Sequence, residues 1–219
     1  MMPNLLREYI ELLLSESAEE DSQLVGPEEM ENQHQYPELA NVLRKLGVKT
    51  IPSGKSSTGF AGMGSFGTVY EILYKGHRAA LKITADSQRD FAQYKKLYEI
   101  QSKIPNFVRR SLPHIYSVKT FQNKHGKYNT TIMEFLNPLS DSLKHTFIYN
   151  NFPDFGDSSY ITKKYSIEDP RIEHLYISLR WLIQHGMLHS WDDIRSDNVL
   201  VRPSTGDFVV ADVGMFKWT

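Results

Sequence analysis

A glycine-rich segment at residues 62–69 constrains the fold of this chain more than any other stretch. It reads Gly-Met-Gly-Ser-Phe-Gly-Thr-Val and fits the pattern G-x-G-x-x-G-x-V at every position. Fifteen residues after Gly67, Lys82 ends the strand-like run Ala80-Leu81-Lys82. Glycines let a backbone fold closely over phosphate groups, and a lysine on a following strand neutralises their charge. The pattern therefore predicts a site that grips a nucleotide triphosphate.

The glycine pattern has three competing interpretations. Glycine clusters also form ordinary turns, so the segment alone is weak evidence. A dinucleotide-binding loop needs a helix directly after it, whereas Thr68-Val69-Tyr70 continues as a strand. A Walker-type loop ends in Gly-Lys-Ser/Thr, which is absent from this segment. The phosphate-binding interpretation thus depends on residues further along the chain.

Composition excludes several classes of function. The 219 residues carry a net charge of −1 and contain no cysteine. Broad binding to nucleic acid needs a basic face, and disulfide scaffolds, thiol catalysis and cysteine-ligated zinc need cysteine. No apolar run approaches the ~18–20 residues of a membrane span, and the N-terminus has no secretory pattern. We therefore expect a cytoplasmic protein that binds neither nucleic acid nor membrane.

The spacing of apolar residues predicts an α+β fold. Predicted helices are at 4–15, after Pro37 with a stop at Gly47, at 87–103 and at 170–185. Predicted strands are at 68–74, 78–84, 114–121, 128–135, 198–202 and 207–211. Residues 52–59 have the composition of a linker, and residues 149–169 look irregular and polar. The two N-terminal helices are expected to be packing elements.

A second set of polar residues lies downstream of the 170–185 helix. The segment 193–198, Asp-Ile-Arg-Ser-Asp-Asn, reads D-[LI]-[KR]-x-x-N, and Asp212-Val213-Gly214 follows Asn198 by fourteen residues. Asp193 suits a base that accepts a hydroxyl proton, whereas Asn198 and Asp212 suit ligands of a divalent cation. Each piece alone occurs by chance. The four pieces are the glycine segment, Lys82, the segment 193–198 and Asp212-Val213-Gly214. Their order, with each beside the predicted element that it needs, argues against coincidence.

Together these motifs resemble the protein-kinase-like fold over residues 56–216. The resemblance implies two lobes around an ATP and Mg²⁺ site. It divides the chain into an N-terminal helical extension (1–50), a kinase N-lobe (51–137) and a truncated C-lobe (138–219) that carries the catalytic and metal-binding loops. It also implies phosphoryl transfer from ATP to serine or threonine hydroxyls of a protein substrate.

The resemblance also assigns roles to residues around the nucleotide. It places the loop over the phosphates at Gly62, Gly64, Ser65 and Gly67. It makes Val69 and Ala80 the cover of the adenine, and Lys82 the group that holds the α- and β-phosphates. The partner of Lys82 should be Glu99, the only glutamate between Glu71 and Glu134. In the hinge-like segment 131–136, Met133 would be the gatekeeper, and backbone groups of Glu134 and Leu136 would meet the adenine edge.

The same resemblance supplies the catalytic and metal roles. Asp193 would be the catalytic base, and Asn198 and Asp212 would hold Mg²⁺. Arg195 stands where such kinases usually have lysine, and its guanidinium can stabilise the transferring phosphoryl group with a different geometry.

The chain departs from the kinase pattern in three places. Trp191-Asp192 precede Asp193, where such kinases have His-Arg, and Val213 replaces the phenylalanine of Asp-Phe-Gly. The sequence stops five residues after Gly214, before any activation segment. In these features it is similar to truncated serine/threonine kinases encoded by bacteriophages. That similarity implies action on host proteins or on itself in the host cytoplasm, and leaves room for a partner chain in place of the missing C-lobe helices.

Two other functions remain open from the sequence. A pseudokinase, which binds nucleotide or serves a structural role, fits the lost His-Arg motif but not the retained base and metal ligands. A small-molecule kinase of the aminoglycoside or choline sort fits the catalytic aspartate and asparagine. Such enzymes usually lack a well-formed glycine loop and the basic residue two positions after the aspartate.

Overall fold

The computed structural model describes residues 39–51, 59–64, 67–85, 89–123, 126–148, 169–188 and 197–213, together with Phe216 and Trp218. The chain divides into two compact units, Met1–Val42 and Leu43–Thr219. Residues 39–42 are the part of the first unit that the structure describes, and all the strands belong to the second unit. The predicted helix at 4–15 lies outside the described residues.

The described residues form a mixed α+β fold with antiparallel sheets, which confirms the α+β part of the predicted fold. The helices are α1 (Leu39–Leu46), α2 (Arg89–Ile100), α3 (Asn106–Arg109), α4 (Asp141–Ile148) and α5 (Pro170–Gln184). The strands are β1 (Lys49–Thr50), β2 (Phe60–Gly64), β3 (Gly67–Tyr74), β4 (His77–Ala85), β5 (Ile115–Asn123), β6 (Gly126–Glu134), β7 (Asn137–Pro138), β8 (Val199–Val201) and β9 (Phe208–Val210). No helix in the described part of the chain is long and apolar enough to cross a membrane.

The larger sheet has six antiparallel strands in the order β1-β3-β4-β6-β5, with β2 also paired to β3. A two-residue turn joins β3 to β4, with Lys75 at φ 50° and Gly76 at φ 81°. Two successive positive φ angles match the right-handed twist of the flanking strands, which fixes the register of this hairpin. Lys82 thereby pairs with Val69 on β3 and with Thr131 on β6.

Side chains of β4 alternate between the two faces of the larger sheet, as the period of a strand requires. Ala79, Leu81 and Ile83 are at most 1% exposed and point to one face. Ala80 and Lys82 point to the opposite face, which lines a cavity. The alternation therefore carries Lys82 to the cavity while its neighbours fill the core.

The smaller sheet has three antiparallel strands in the order β7-β8-β9. Before it in sequence, α5 begins at Pro170 behind the cap residue Asp169, whose carboxylate accepts a hydrogen bond of 2.9 Å from the Arg171 N–H. A stripe at helical spacing buries one side of α5; it consists of Ile172, Leu175, Leu179 and Leu182. Gly186 at φ 64° follows the helix end.

One cluster of buried side chains connects the two sheets with α2 and α5. It includes Met133 from the larger sheet, Leu97 from α2, Leu179 from α5 and Phe208 from the smaller sheet. Full burial of such side chains stabilises the folded state by about 1.5–3 kcal/mol each. The core therefore holds the ends of β4, β6, β8 and β9 around one cavity.

Most predicted elements agree with the structure to within three residues at each end. The predicted strands at 68–74 and 78–84 are β3 and β4, and the predicted helices at 87–103 and 170–185 are α2 and α5. The apolar pattern does not predict the short elements β1, β7 and α3, the glycine-rich β2, or α4. Residues 52–58 and 149–168 of the predicted linker and irregular region lie outside the described residues.

Candidate functional site

A cavity of about 490 Å³ opens between the larger and the smaller sheet. Many of the residues that the sequence singled out line it: Gly62, Gly67, Val69, Ala80, Lys82, Met133, Glu134, Leu136, Asn198 and Asp212. Further lining residues are Ala61, Tyr94, Phe135, Pro138, Asp197, Leu200 and Ala211. The fold thus brings together residues that are up to 150 positions apart in the sequence, from Gly62 to Asp212.

The β2–β3 hairpin forms the wall of the cavity that carries the glycines. Gly62 pairs with Val69, and Gly64 pairs with Gly67. Gly67 has φ +148°, and a Cβ there would overlap the Ile83 carbonyl oxygen and lie 2.8 Å from the Thr84 methyl carbon. A Cβ on Gly62 would meet nothing within 4 Å. Gly67 is therefore required by the fold itself, whereas Gly62 leaves space beside the cavity.

Lys82 lies at the centre of a charged cluster inside the cavity. Its side chain is 10% exposed, and its Nζ lies 2.5 Å from Oδ2 of Asp90 and 3.7 Å from Oδ1 of Asp212. The Nζ also lies 4.9 Å from the ring centre of Tyr94. A lysine held this way keeps its ammonium pointed at the Asp212 carboxylate of the cavity.

Burial and charge act on Lys82 in opposite directions. Burial lowers the pKa of the ammonium, but its attraction to the Tyr94 oxygen and to the carboxylates of Asp90 and Asp212 outweighs burial and raises the pKa above 10.5. Burial also raises the pKa of Asp90, and the nearby Lys82 charge opposes that rise. Lys82 therefore stays protonated at neutral pH and presents a fixed positive charge.

Asp90 replaces Glu99 as the carboxylate partner of Lys82, which corrects the sequence-based assignment. Asp90 stands in the first turn of α2 and its side chain is 2% exposed, whereas Glu99 lies near the end of the same helix on an exposed position. The shorter aspartate reaches Lys82 because the beginning of α2 faces the end of β4. The helical spacing of Asp90, Tyr94 and Leu97 puts Asp90 on the buried side of α2, and this signal makes it a candidate without choosing the turn of α2 that faces Lys82.

The β8–β9 hairpin positions the two predicted metal ligands. Asn198 directly precedes β8, and Asp212 follows β9 by two residues. The Ala211 N–H donates a hydrogen bond of 2.8 Å to the Asn198 carbonyl, beyond the last strand pair Val199–Val210. This bond extends the hairpin, and Asn198 and Asp212 both line the cavity together with Lys82, at what we call its polar end.

The donor set at this end suits Mg²⁺ shared with a phosphate ligand. Among the described residues, no group of three or more histidine, cysteine, aspartate or glutamate side chains could hold a metal alone. Magnesium is usually bound by one or two carboxylates together with substrate phosphates and water. Asp212, with a side chain 27% exposed, offers a carboxylate, and Asn198 offers an amide oxygen. A metal shared with a phosphate would complete this partial set.

Apolar side chains line a further part of the cavity, which we call its apolar end. It is lined by Val69 and Ala80 from the larger sheet, Met133 and Leu136 from the end of β6 and the segment after it, and Leu200 from β8. Met133 pairs with Ala80 across β4 and β6, which places these two side chains on one face. Leu200 was not predicted as a site residue; its position two residues after Asn198 on a strand is the signal that could have identified it.

Glu134 has a structural role that the sequence did not reveal. Its carboxylate accepts hydrogen bonds of 2.8 and 2.6 Å from the Arg202 guanidinium and one of 2.9 Å from the His114 N–H. Arg202 also donates to the carbonyls of Arg110 (2.8 Å) and Leu112 (3.0 Å). The Glu134 side chain is therefore committed to a network that joins β6 to the residue after β8, beside the apolar end of the cavity.

Three predicted site residues, Ser65, Asp193 and Arg195, lie outside the described residues. No protein-family model matches the chain, and no curated protein sequence matches it. The chemistry of the cavity itself is the basis for assigning a function.

Proposed function

We propose that this chain is an ATP-dependent protein kinase that phosphorylates serine or threonine hydroxyls, with the two sheets as the lobes of a kinase-like fold. One observation carries the proposal. A single cavity gathers a glycine hairpin, a buried lysine, an amide and a carboxylate together with apolar side chains. This combination suits a ligand that has a flat apolar base and a charged tail.

The apolar end has the properties that an adenine ring needs. Ligand pockets of about 300–1,000 Å³ with mainly apolar walls bury most of a small ligand, and the cavity here measures about 490 Å³. Val69 and Ala80 would lie on one side of the base and Leu200 on the other. Backbone groups of Glu134 and Leu136 would meet its edge. The ion pair of Glu134 with Arg202 keeps that backbone segment in place.

The polar end has the charges that a triphosphate needs. ATP with Mg²⁺ supplies an activated phosphoryl group whose negative charge must be neutralised as it moves. Lys82 would hold the phosphates, with its direction fixed by Asp90. Asn198 and Asp212 would hold the metal. The β2–β3 hairpin would cover the phosphates through its backbone, since glycines bring no side chains between strand and ligand.

The base of the proposed reaction is Asp193. It stands five residues before Asn198, which lines the polar end of the cavity. Asp193 would accept the proton of the substrate hydroxyl, and Arg195 would stabilise the charge on the transferring group. The assignment of both residues depends on the motif D-[LI]-[KR]-x-x-N in the sequence.

Labelled ATP with Mg²⁺ tests the proposal, with the full chain alone and with a cell extract. We expect label on serine or threonine of a protein in the wild type and about a hundredfold less in Lys82→Ala and Asp193→Asn. The matched control is Lys144→Ala, which removes a lysine with a side chain 45% exposed from a 2.8 Å ion pair with Asp141 and should leave labelling unchanged.

The other outcomes of this experiment identify the rival functions. Binding of ATP without transfer in any sample would make the chain a pseudokinase. Label on a sugar or an amine would make it a small-molecule kinase. A wild-type protein that does not bind ATP at all would contradict the proposal.

A further inference from the structure

The Tyr94 hydroxyl lies between the Lys82 ammonium and the carbonyl of Ala211, the residue before Asp212. Tyr94 stands one helical turn after Asp90 on α2, and the whole residue is 2% exposed. Its hydroxyl oxygen is 3.4 Å from the Lys82 Nζ and 3.0 Å from the Ala211 carbonyl oxygen. A kinase-like site needs a lysine and a carboxylate, but neither requires a phenol at this place.

The direction of these hydrogen bonds follows from the chemistry of the groups. The Lys82 ammonium can only donate, so it donates to the Tyr94 oxygen. The Ala211 carbonyl can only accept, so the Tyr94 hydroxyl donates its proton to it. Burial raises the pKa of Tyr94, so the hydroxyl keeps the proton that this bond requires. The three groups therefore form one chain of hydrogen bonds that all donate in the same direction. It runs from Lys82 on β4 through Tyr94 on α2 to Ala211 directly after β9.

The Ala211 peptide connects this chain to both predicted metal ligands. Its N–H donates to the Asn198 carbonyl at 2.8 Å, and its carbonyl also accepts from the Val213 N–H at 3.2 Å. Asp212 lies between Ala211 and Val213, the residues whose N–H groups make these two bonds. A shift of the Ala211 carbonyl would therefore rotate the peptide before Asp212 and loosen the link to Asn198.

We propose that Tyr94 is a positioning residue that holds Asp212 and Asn198 in a fixed relation to Lys82 through the Ala211 backbone. The inference deepens the proposed kinase function and depends on it for its consequence for metal binding. A phenylalanine would fill the same volume in the core but would leave the Ala211 carbonyl without its side-chain donor. The hydroxyl, not the ring, is thus the functional part of the residue.

The first arm of the test needs no nucleotide. Hydrogen exchange of residues 208–213 is measured in the full chain for the wild type, Tyr94→Phe and Tyr176→Phe. Tyr176 is the matched control because it is also a buried tyrosine of the same core, 6% exposed, but does not line the cavity. We expect exchange about threefold to tenfold faster in Tyr94→Phe alone, the change that loss of one hydrogen bond produces. Unchanged exchange, or equal acceleration in both variants, would overturn the proposal.

The second arm measures the Mg²⁺ concentration that half-maximally tightens ATP binding. Tyr94→Phe should need about fivefold to tenfold more Mg²⁺, while Tyr176→Phe should match the wild type. A merely structural role of Tyr94 would lower the melting temperature without moving the Mg²⁺ requirement, and that result would overturn the proposal. If the wild type binds no ATP, the kinase function fails, and the exchange measurement still decides whether Tyr94 positions the Asp212 segment.

Discussion

The charge of Lys82 is balanced by carboxylates from two different elements. Asp90 comes from the beginning of α2 and Asp212 from the residues after β9. Removing one partner of a buried ion pair leaves a charge that water no longer solvates, which costs more than the pair itself contributes. Because the pKa of Lys82 is raised, its contribution to stability is fully present below pH 10.5 and is lost as pH rises through the higher folded-state pKa.

Asp90→Asn tests which carboxylate of α2 supports Lys82. Asparagine keeps the shape but removes the charge, while Asp212 remains 3.7 Å away and limits the loss. We expect the free energy of unfolding to fall by about 1–3 kcal/mol and ATP affinity to fall with it. Chemical denaturation and titration with ATP measure the two effects.

Glu99→Gln is the matched control on the same helix. Glu99 is exposed, so its substitution should change stability by less than about 0.5 kcal/mol and leave ATP affinity intact. A larger effect of Glu99→Gln than of Asp90→Asn would restore the sequence-based pairing and contradict the structure.

At the scale of elements, the sequence predicted structure that depends on neighbouring residues and missed contacts that depend on tertiary packing. The hairpin of β3 and β4 is indicated by alternating apolar residues on both sides of Lys75-Gly76, a pattern contained within about 18 residues. The pairing of Lys82 depends on which turn of α2 faces β4. That choice is made by tertiary packing, which helical periodicity alone does not specify.

The network around Arg202 is a clearer case of contacts that the local sequence does not predict. Arg202 and Glu134 are separated by 68 positions, and nothing in either local segment marks them as partners. Arg202 is also 3.6 Å from Asp207, which itself holds Arg110 through a 2.6 Å ion pair. These contacts connect β6, the turn after α3 and the β8–β9 hairpin beside the cavity. Only the assembled fold brings these charges together.

Arg202→Lys tests the strength of this connection. Lysine keeps the positive charge but cannot make the two parallel hydrogen bonds to Glu134 while also reaching the carbonyls of Arg110 and Leu112. The side chains of Arg202 and Glu134 are each 13% exposed, so the lost bonds are poorly replaced by water. We expect the free energy of unfolding to fall by about 1–3 kcal/mol in urea titrations.

Arg171→Lys serves as the exposed counterpart of this substitution. Arg171 makes a similar forked pair with Asp169, but its side chain is 38% exposed. Surface pairs contribute at most about 1 kcal/mol, so this variant should be the more stable of the two. If both variants lost the same stability, burial would not be what gives the Arg202 network its strength.

For the molecule as a whole, the cavity lies where the two sheets meet within the single compact unit Leu43–Thr219. A ligand that contacts Ala80 and Lys82 on one sheet and Leu200 on the other binds the folded chain and not the unfolded one. Binding of that kind raises the free energy of unfolding by an amount that depends on the ratio of ligand concentration to Kd. Both sheets should therefore be stabilised together.

ATP with Mg²⁺ at about one hundred times Kd should raise the free energy of unfolding by about 2.7 kcal/mol. For a chain of this size, that corresponds to a rise in Tm of about 5–10 °C, seen as one shifted transition in a thermal melt. Gly62→Leu provides a steric control, because a Cβ there meets nothing within 4 Å and Gly62 lines the cavity. The leucine should leave the Tm without ligand nearly unchanged and abolish the rise, since it occupies the space beneath the glycine hairpin. A rise of equal size in Gly62→Leu would mean that ATP binds elsewhere on the chain, and the cavity would lose its role as the nucleotide site.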